Sequence, residues 1–413
     1  MRLFAALFAL YAFISPAWAQ EPPLVLAPER VWVGGDAPSR AGWVVVVADG
    51  RIAAVGPADQ VQRPAGAREL ALPGVTLTPG LIDLHTHLLL RPYAIQSWDD
   101  QVLRDSEATR VIRAVAAARA TLMAGFTTAR DLGSEGAGYA DIALRDGVRN
   151  GAMAGPRMYV AGLAVVAQGG YAPRRTGFRP DMQIPQGAQE ASGVDEIVAA
   201  VRRDMAHGAD WIKLYGDYRF GVATHAHPTF SQAELEAAIS VARDAGLPVS
   251  VHAATDEGIR RAVLAGAQTI EHGYGASRET LRLMAQRGVA LAPTLAAVDA
   301  MRPQDREAMA RMFQAALRAG VTIAAGSDAG VFAHGENARE LELMVEYGMS
   351  PLQAMRAATQ TNAALLGARG ELGVIAPGAH ADLAGFIGDP TADIAVLRRV
   401  AFVAQGGVIM RAP

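Results

Sequence analysis

Hydrophobic positions change their spacing twice along this chain. Residues 20–79 alternate short apolar runs with turn residues. Val44-Val45-Val46-Val47 leads through Asp49-Gly50 into Arg51-Ile52-Ala53-Ala54-Val55, a strand–turn–strand pattern. Residues 370–413 return to the same alternation. Leu383-Ala384-Gly385-Phe386 is apolar, and Val400 to Val403 precedes Gly406-Gly407. Between these ends the pattern differs. Apolar runs of strand length begin near Leu81, Thr127, Met158, Trp211, Pro248, Thr269, Val289 and Val321, and helical periodicity fills the gaps, as over 195–206, 232–245 and 306–319. Gly208, Gly246, Gly266, Gly288 and Gly320 stand where helices end. Eight βα units over about 290 residues predict an α/β fold, a (β/α)8 TIM barrel over residues 80–369. Residues 20–79 and 370–413 are expected to join as a small composite β-sandwich domain. A doubly wound open sheet is the rival, disfavoured because no glycine-rich nucleotide turn follows an early strand.

Residues 1–19 read as a signal peptide. Arg2 supplies a positive charge, Leu3 to Ile14 is apolar but short for a bilayer, and Ala17-Trp18-Ala19 fits a small-x-small cleavage site. Cleavage before Gln20 leaves no stable membrane span; an uncleaved anchor is the alternative. The expected location is secreted or periplasmic. The 413 residues contain no cysteine, which excludes disulfides, thiol nucleophiles and zinc–cysteine sites. A net charge of -3, spread along the chain, gives no reason to expect a nucleic-acid partner. A small-molecule substrate is expected, and a homo-oligomer is compatible with the sequence.

Chemistry-bearing residues gather at the ends of the predicted strands. His85 and His87 close the first, and positions i and i+2 of a strand share a face, so both imidazoles can reach one ion. With nine histidines in the chain, one His-x-His is weak evidence by itself. Lys213 lies in the apolar run Trp211-Ile212-Lys213-Leu214-Tyr215, where a buried ammonium is costly unless paired or modified. His252 ends the fifth run, His272 the sixth, and Asp328 follows the eighth. The C-terminal ends of barrel strands converge on one face. These residue types suit Zn²⁺ or a similar divalent ion. Taken singly, His252 or His272 equally fits a core histidine, and Asp328 fits a helix N-cap.

The segments Pro79-Gly80-Leu81-Ile82-Asp83-Leu84-His85-Thr86-His87, Gly208-Ala209-Asp210-Trp211-Ile212-Lys213 and Gly326-Ser327-Asp328-Ala329-Gly330 resemble signatures of the amidohydrolase superfamily, and Gly373 to Leu383 resembles its return to the small β-domain. The nearest likeness is the imidazolonepropionase-related branch of prolidase-like dipeptidases, carboxypeptidases and ochratoxinase-type amidases. The resemblance implies a binuclear hydrolase. His85, His87 and Asp328 would bind one divalent cation, zinc by this chemistry, and His252 and His272 a second. Lys213, carboxylated by CO₂, would bridge them. A metal-bridging hydroxide would attack an amide carbonyl, with Asp328 as the catalytic proton shuttle. The expected substrate is a dipeptide or N-acyl amino acid.

Two departures from the resemblance matter. Deaminases of the superfamily carry a glutamate three residues after the fifth-strand histidine; Thr255 stands here. Many dipeptidase-like relatives have Gly-Gly-His after the third strand; this chain has Gly169-Gly170-Tyr171. Tyr171 is therefore either a hydrogen-bond donor to an oxyanion or loop packing. Tyr218 and His334 are further candidates for substrate contact. His225 and His227 form a second His-x-His, read as a solvated loop pair. Arg174, Arg175, Arg179 and Arg219 lie on loops of the same face, where one could clamp a carboxylate. The competing functions are a cyclic amidase, lactonase or deaminase of the same superfamily, and a non-catalytic binding protein.

Overall fold

The computed structural model describes residues 22–221 and 223–413. The segment read as a signal peptide, residues 1–19, lies outside the described residues. Both chain ends feed one eight-stranded sheet. Its order runs Val408–Arg411, Val400–Gln405, Leu383–Ile387, Arg68–Pro79, Leu24–Val31, Trp43–Ala48, Arg51–Pro57, with Arg40–Ala41 beside Leu24–Val31. The join is the long strand Arg68–Pro79. It runs parallel to Leu24–Val31 on one side and antiparallel to Leu383–Ile387 on the other. Asp49 and Gly50 both have positive φ, 51° and 73°, the geometry a two-residue hairpin turn requires. Leu26, Val45, Leu77, Leu383 and Phe402 pack together on one face of this sheet.

The chain leaves the sheet at Pro79-Gly80 and enters a (β/α)8 barrel. Its first seven strands are Leu81–Thr86, Phe126–Asp131, Arg157–Val160, Ile212–Tyr215, Val249–Ala253, Thr269–His272 and Ala290–Ala292. Residues 321–329 act as the eighth. They bond the seventh strand through Leu291 and Ile323, and the first through Thr86 and Ala329. The Asp328 N–H donates to the His85 carbonyl at 2.7 Å, closing the ring. Consecutive strands pair in parallel wherever a ladder forms. Each of the eight predicted strand starts falls within two residues of its observed strand or strand segment.

The outer helices form where the sequence sets start and stop signals. Ser231 and Glu234 make a reciprocal capping box on the helix Gln232–Asp244, and Thr255 and Ser277 cap the two helices that follow. Gly208, Gly266, Gly288 and Gly320 end helices in the left-handed conformation. The helix Gln232–Asp244 is capped by Ala245 at negative φ, and the left-handed residue, Gly246 at φ 77°, comes one position later. Ile197, Val201, Leu214, Val251, Ile270 and Leu291 belong to the apolar layer between helices and barrel. Burying such side chains gains about 1.5–3 kcal/mol each, and this layer fixes where the strand ends point. Among the described residues, no helix is long and apolar enough to cross a membrane.

Candidate metal centre

Four imidazoles and a carboxylate meet at the C-terminal ends of the barrel strands. His85 and His87 project from the first strand with ring centroids 5.3 Å apart. The His272 ring lies 5.2 Å from His85 and 4.5 Å from His252. Asp328 Oδ1 stands 3.6 Å from His85 Nε2 and 3.5 Å from His87 Nε2. Ligand atoms of His85, His272 and Asp328 all lie within 4.8 Å of one another. Lys213 is buried on the fourth strand, in register with Ser250 of the fifth. Its Nζ lies 5.5 Å from the Tyr215 ring that stacks on His252, which puts the amine beside the same cluster.

Backbone strain helps build this convergence. Neighbouring residues on a strand point to opposite faces, yet Glu271 and His272 both flank His85. His272 adopts φ 75°, and Gly273 follows at 66°, so the strand turns as it ends. Asp328 has φ 63° and Thr294, after the seventh strand, has φ 50°. Left-handed non-glycine residues cost of order 1–3 kcal/mol each and cluster at functional sites. Two glycines make room. A Cβ on Gly326 would press on His85 Cβ at 3.0 Å, and one on Gly330 would meet the His87 carbonyl at 2.5 Å.

The protonation states suit cation binding. Burial, with help from the Lys213 charge, lowers His85 to about 3. Burial also lowers His87 and pushes His252 and His272 well below the usual histidine range. Four neutral imidazoles therefore offer lone pairs at pH 7, which metal coordination demands. Burial lowers Lys213 to about 8, against the pull of Glu271, which raises its share of free amine. Burial drives the Asp328 carboxyl well above its usual range, opposed by Lys213. A divalent cation beside it would reverse that sign. The donor set and the dry surroundings fit one or more divalent ions of the zinc type.

Outer partners fix the rings. His85 Nδ1 donates to Glu271 Oε2 at 2.7 Å, leaving Nε2 turned to the centre. Arg130 Nη2 donates to Glu271 Oε1 at 2.8 Å, and Ser250 and Thr269 hydroxyls donate to the same oxygen. Burial opposes ionisation of Glu271, but Arg130 and His85 outweigh it and hold the carboxyl well below its usual range. His87 Nδ1 meets the Gly133 carbonyl at 3.1 Å. His272 Nδ1 meets Thr294 Oγ1 at 2.7 Å, with the Tyr274 hydroxyl 3.2 Å away. His252 stacks on Tyr215 at 4.5 Å, with Asp217 Oδ1 3.8 Å from its Nε2.

This chain matches the amidohydrolase family over residues 76–410. It belongs to that family. The Aspergillus niger ochratoxinase is 28% identical to this amidohydrolase over 384 residues, spanning 82% of this chain and 76% of its own. A Xaa-Pro dipeptidase structure with methionine in its active site is 31% identical, with a TM-score of 0.84 over 94% of this chain and 100% of that one. A prolidase complexed with N-methylphosphonate-L-proline is 28% identical, with a TM-score of 0.84 over 95% and 100% of the two chains. The protein is thus a hydrolase acting on carbon–nitrogen bonds, akin to prolidase-like and ochratoxinase amidohydrolases.

The other candidates divide. Tyr171 is buried beside the centre, but its hydroxyl donates to Glu135 at 2.6 Å. Tyr218 is half-buried, 5.7 Å from the His252 ring. His334 packs on the loop after the first strand, its Nε2 3.3 Å from the Leu90 carbonyl, and burial lowers it to about 4. His225 and His227 are exposed, as are Arg174, Arg175, Arg179 and Arg219. In the amidohydrolase, Thr255 caps a helix and bonds Asp217 where deaminases carry their glutamate. Sequence reasoning missed Glu271, Arg130 and Glu135, and also Asp83, which ties the first strand to Ser327 and Asn337. Charged residues inside apolar strand runs, as at Asp83 and Arg130, were the available signal.

Proposed function

We propose that this amidohydrolase uses two divalent cations to hydrolyse an amide C–N bond in a dipeptide or N-acyl amino acid. The reading is carried by the His85, His272 and Asp328 donors within 4.8 Å of one another, flanked by His87 and His252. His85, His87 and Asp328 would hold one cation and His252 and His272 the other, and Lys213, as its carbamate, would supply a further carboxylate donor. When bound, the cations acidify a water and polarise the scissile carbonyl. Glu271 keeps the His85 proton on Nδ1, and Thr294 orients His272, so both rings present Nε2 inward. Asp328 accepts a proton at a carboxylate oxygen and returns it to the leaving nitrogen, so the amine departs neutral.

Two metals per chain are expected by elemental analysis, with amino-acid release from a dipeptide and N-acyl-amino-acid library. Asp328→Asn should lower kcat by about 10³-fold or more, the scale of general acid–base loss at a committed site. Turnover confined to lactones or cyclic ureas would reject the substrate and keep the family. The N-terminal pattern further assigns the enzyme to the periplasm or medium, and a mature chain starting at Gln20 on exported protein is the check.

A further inference from the structure

Glu135 is a buried carboxylate that the reaction above does not use. It follows the second strand, 2% exposed, with φ 54°. Its Oε2 accepts the Trp98 indole N–H at 2.7 Å and the Tyr171 hydroxyl at 2.6 Å, and its Oε1 stands 3.6 Å from His87 Nδ1. The nearby Arg110 guanidinium directs its donors at the carbonyl oxygens of Leu89, Ser134 and Glu135.

An aromatic wall surrounds this carboxylate. Trp98 lies 4.5 Å from Tyr171, which stacks on Tyr215 at 4.5 Å and meets Tyr218 edge-on at 5.0 Å. Tyr215 and Tyr218 in turn flank His252, so the wall adjoins the metal centre. Trp98 and Tyr218 are half-exposed and can meet a ligand. Tyr171 directs its O–H at Glu135, and its oxygen in turn accepts from the Tyr93 and Tyr215 hydroxyls, so the charge of Glu135 is relayed along the wall. The faces of Trp98 and Tyr218, backed by a carboxylate, attract a cation and do not stabilise an oxyanion, and the Arg219 guanidinium 5.4 Å over the Tyr218 ring already uses this property.

We propose that Glu135 and the aromatic wall form a subsite for a substrate ammonium, so that the enzyme selects peptides with an unblocked amino terminus over N-acyl amino acids. This rests on the amide-hydrolysis reading and decides between its two substrate classes. Glu135 is a positioning residue here: it acts through Tyr171 and Trp98 and does not touch the ligand.

Glycyl-L-phenylalanine and acetyl-L-phenylalanine share the leaving amine and the scissile amide and differ in the ammonium. On metal-loaded enzyme the glycyl compound should win by about tenfold in kcat/KM, mostly through KM. Glu135→Gln should shrink that ratio to about threefold or less. Calorimetry supplies a readout free of turnover: benzylammonium should bind tighter than benzyl alcohol, and the gap should narrow in the variant. If Glu135→Gln does not fold, Tyr218→Leu at the exposed edge should narrow the same gap. Equal or better turnover of acetyl-L-phenylalanine, or a ratio untouched by either variant, overturns the proposal. If no amide is cleaved but lactones are, the amide reading fails, and the calorimetric comparison alone still decides the ammonium subsite.

Discussion

The two sides of the metal centre are held by different physics. On the His85 side, orientation comes from charge. The imidazole donates to Glu271, which is paired with Arg130, and the Arg130 guanidinium lies 4.2 Å over the Trp211 ring. All three charged or polar groups are fully buried. On the His252 and His272 side, orientation comes from stacking and hydroxyls. Tyr215 lies flat against His252, and Thr294 with Tyr274 holds His272. A buried ion pair tolerates almost no loss of a partner, because the remaining charge is stranded. Rings and hydroxyls are neutral, so losing one strands nothing of that size. The first side should therefore fail abruptly when altered and the second by degrees.

Glu271→Gln is the sharpest way to break the contrast. It removes the charge that Arg130 and His85 both need while keeping the size of the side chain. Stability should fall by about 3–5 kcal/mol, as for other broken buried pairs, and metal affinity by about 10–100-fold, as for other outer-shell changes. Denaturant unfolding and metal titration measure these separately. Thr294→Val is the matching change opposite. His272 keeps Tyr274 nearby, so metal affinity should fall by about tenfold, with a stability loss of only about 1–3 kcal/mol from the unpaired groups. Tyr215→Leu removes the ring stacked on His252 and should cost about 0.5–1.5 kcal/mol beyond lost burial. If Thr294→Val proved as damaging as Glu271→Gln, the distinction between the two sides would not stand.

That contrast also explains what could be read from the sequence. The barrel was legible because eight apolar runs alternate with helical periodicity, and Gly208, Gly266, Gly288 and Gly320 mark helix ends by a local rule. The converging residues were legible because each sits at the end of such a run, as His252 and Asp328 do. Their supports were not. Glu271 and Arg130 are 141 residues apart, and no spacing rule links them. Tyr171 was visible as a residue, but its engagement with Glu135, 36 positions earlier, depends on how two loops fold over the barrel. The left-handed turn at His272 defeats strand alternation, so periodicity could not tell that adjacent residues serve one site.

Asp204 offers the gentlest test, because it is a buried carboxylate without the compensation that Glu271 enjoys. It lies on the helix Val194–His207, accepting hydrogen bonds from Tyr139 at 3.2 Å and Gln189 at 2.6 Å. Burial raises its pKa to about 8, with Asp141 adding to the rise. A raised carboxyl pKa means the folded state holds a proton that the unfolded state has released. This group's contribution is therefore fully present below about pH 4 and is lost as pH climbs through about 8. Asp204→Asn should be close to neutral in the acid range and increasingly stabilising from pH 6 to 9. One pKa unit corresponds to about 1.4 kcal/mol, so even a quarter of this shift is measurable by denaturant unfolding. Glu271, held ionised by Arg130, predicts the opposite slope. A flat difference between wild type and Asp204→Asn across pH 6 to 9 would mean that hydrogen bonds alone compensate a buried carboxylate, and that the cation at Glu271 is not what separates the two.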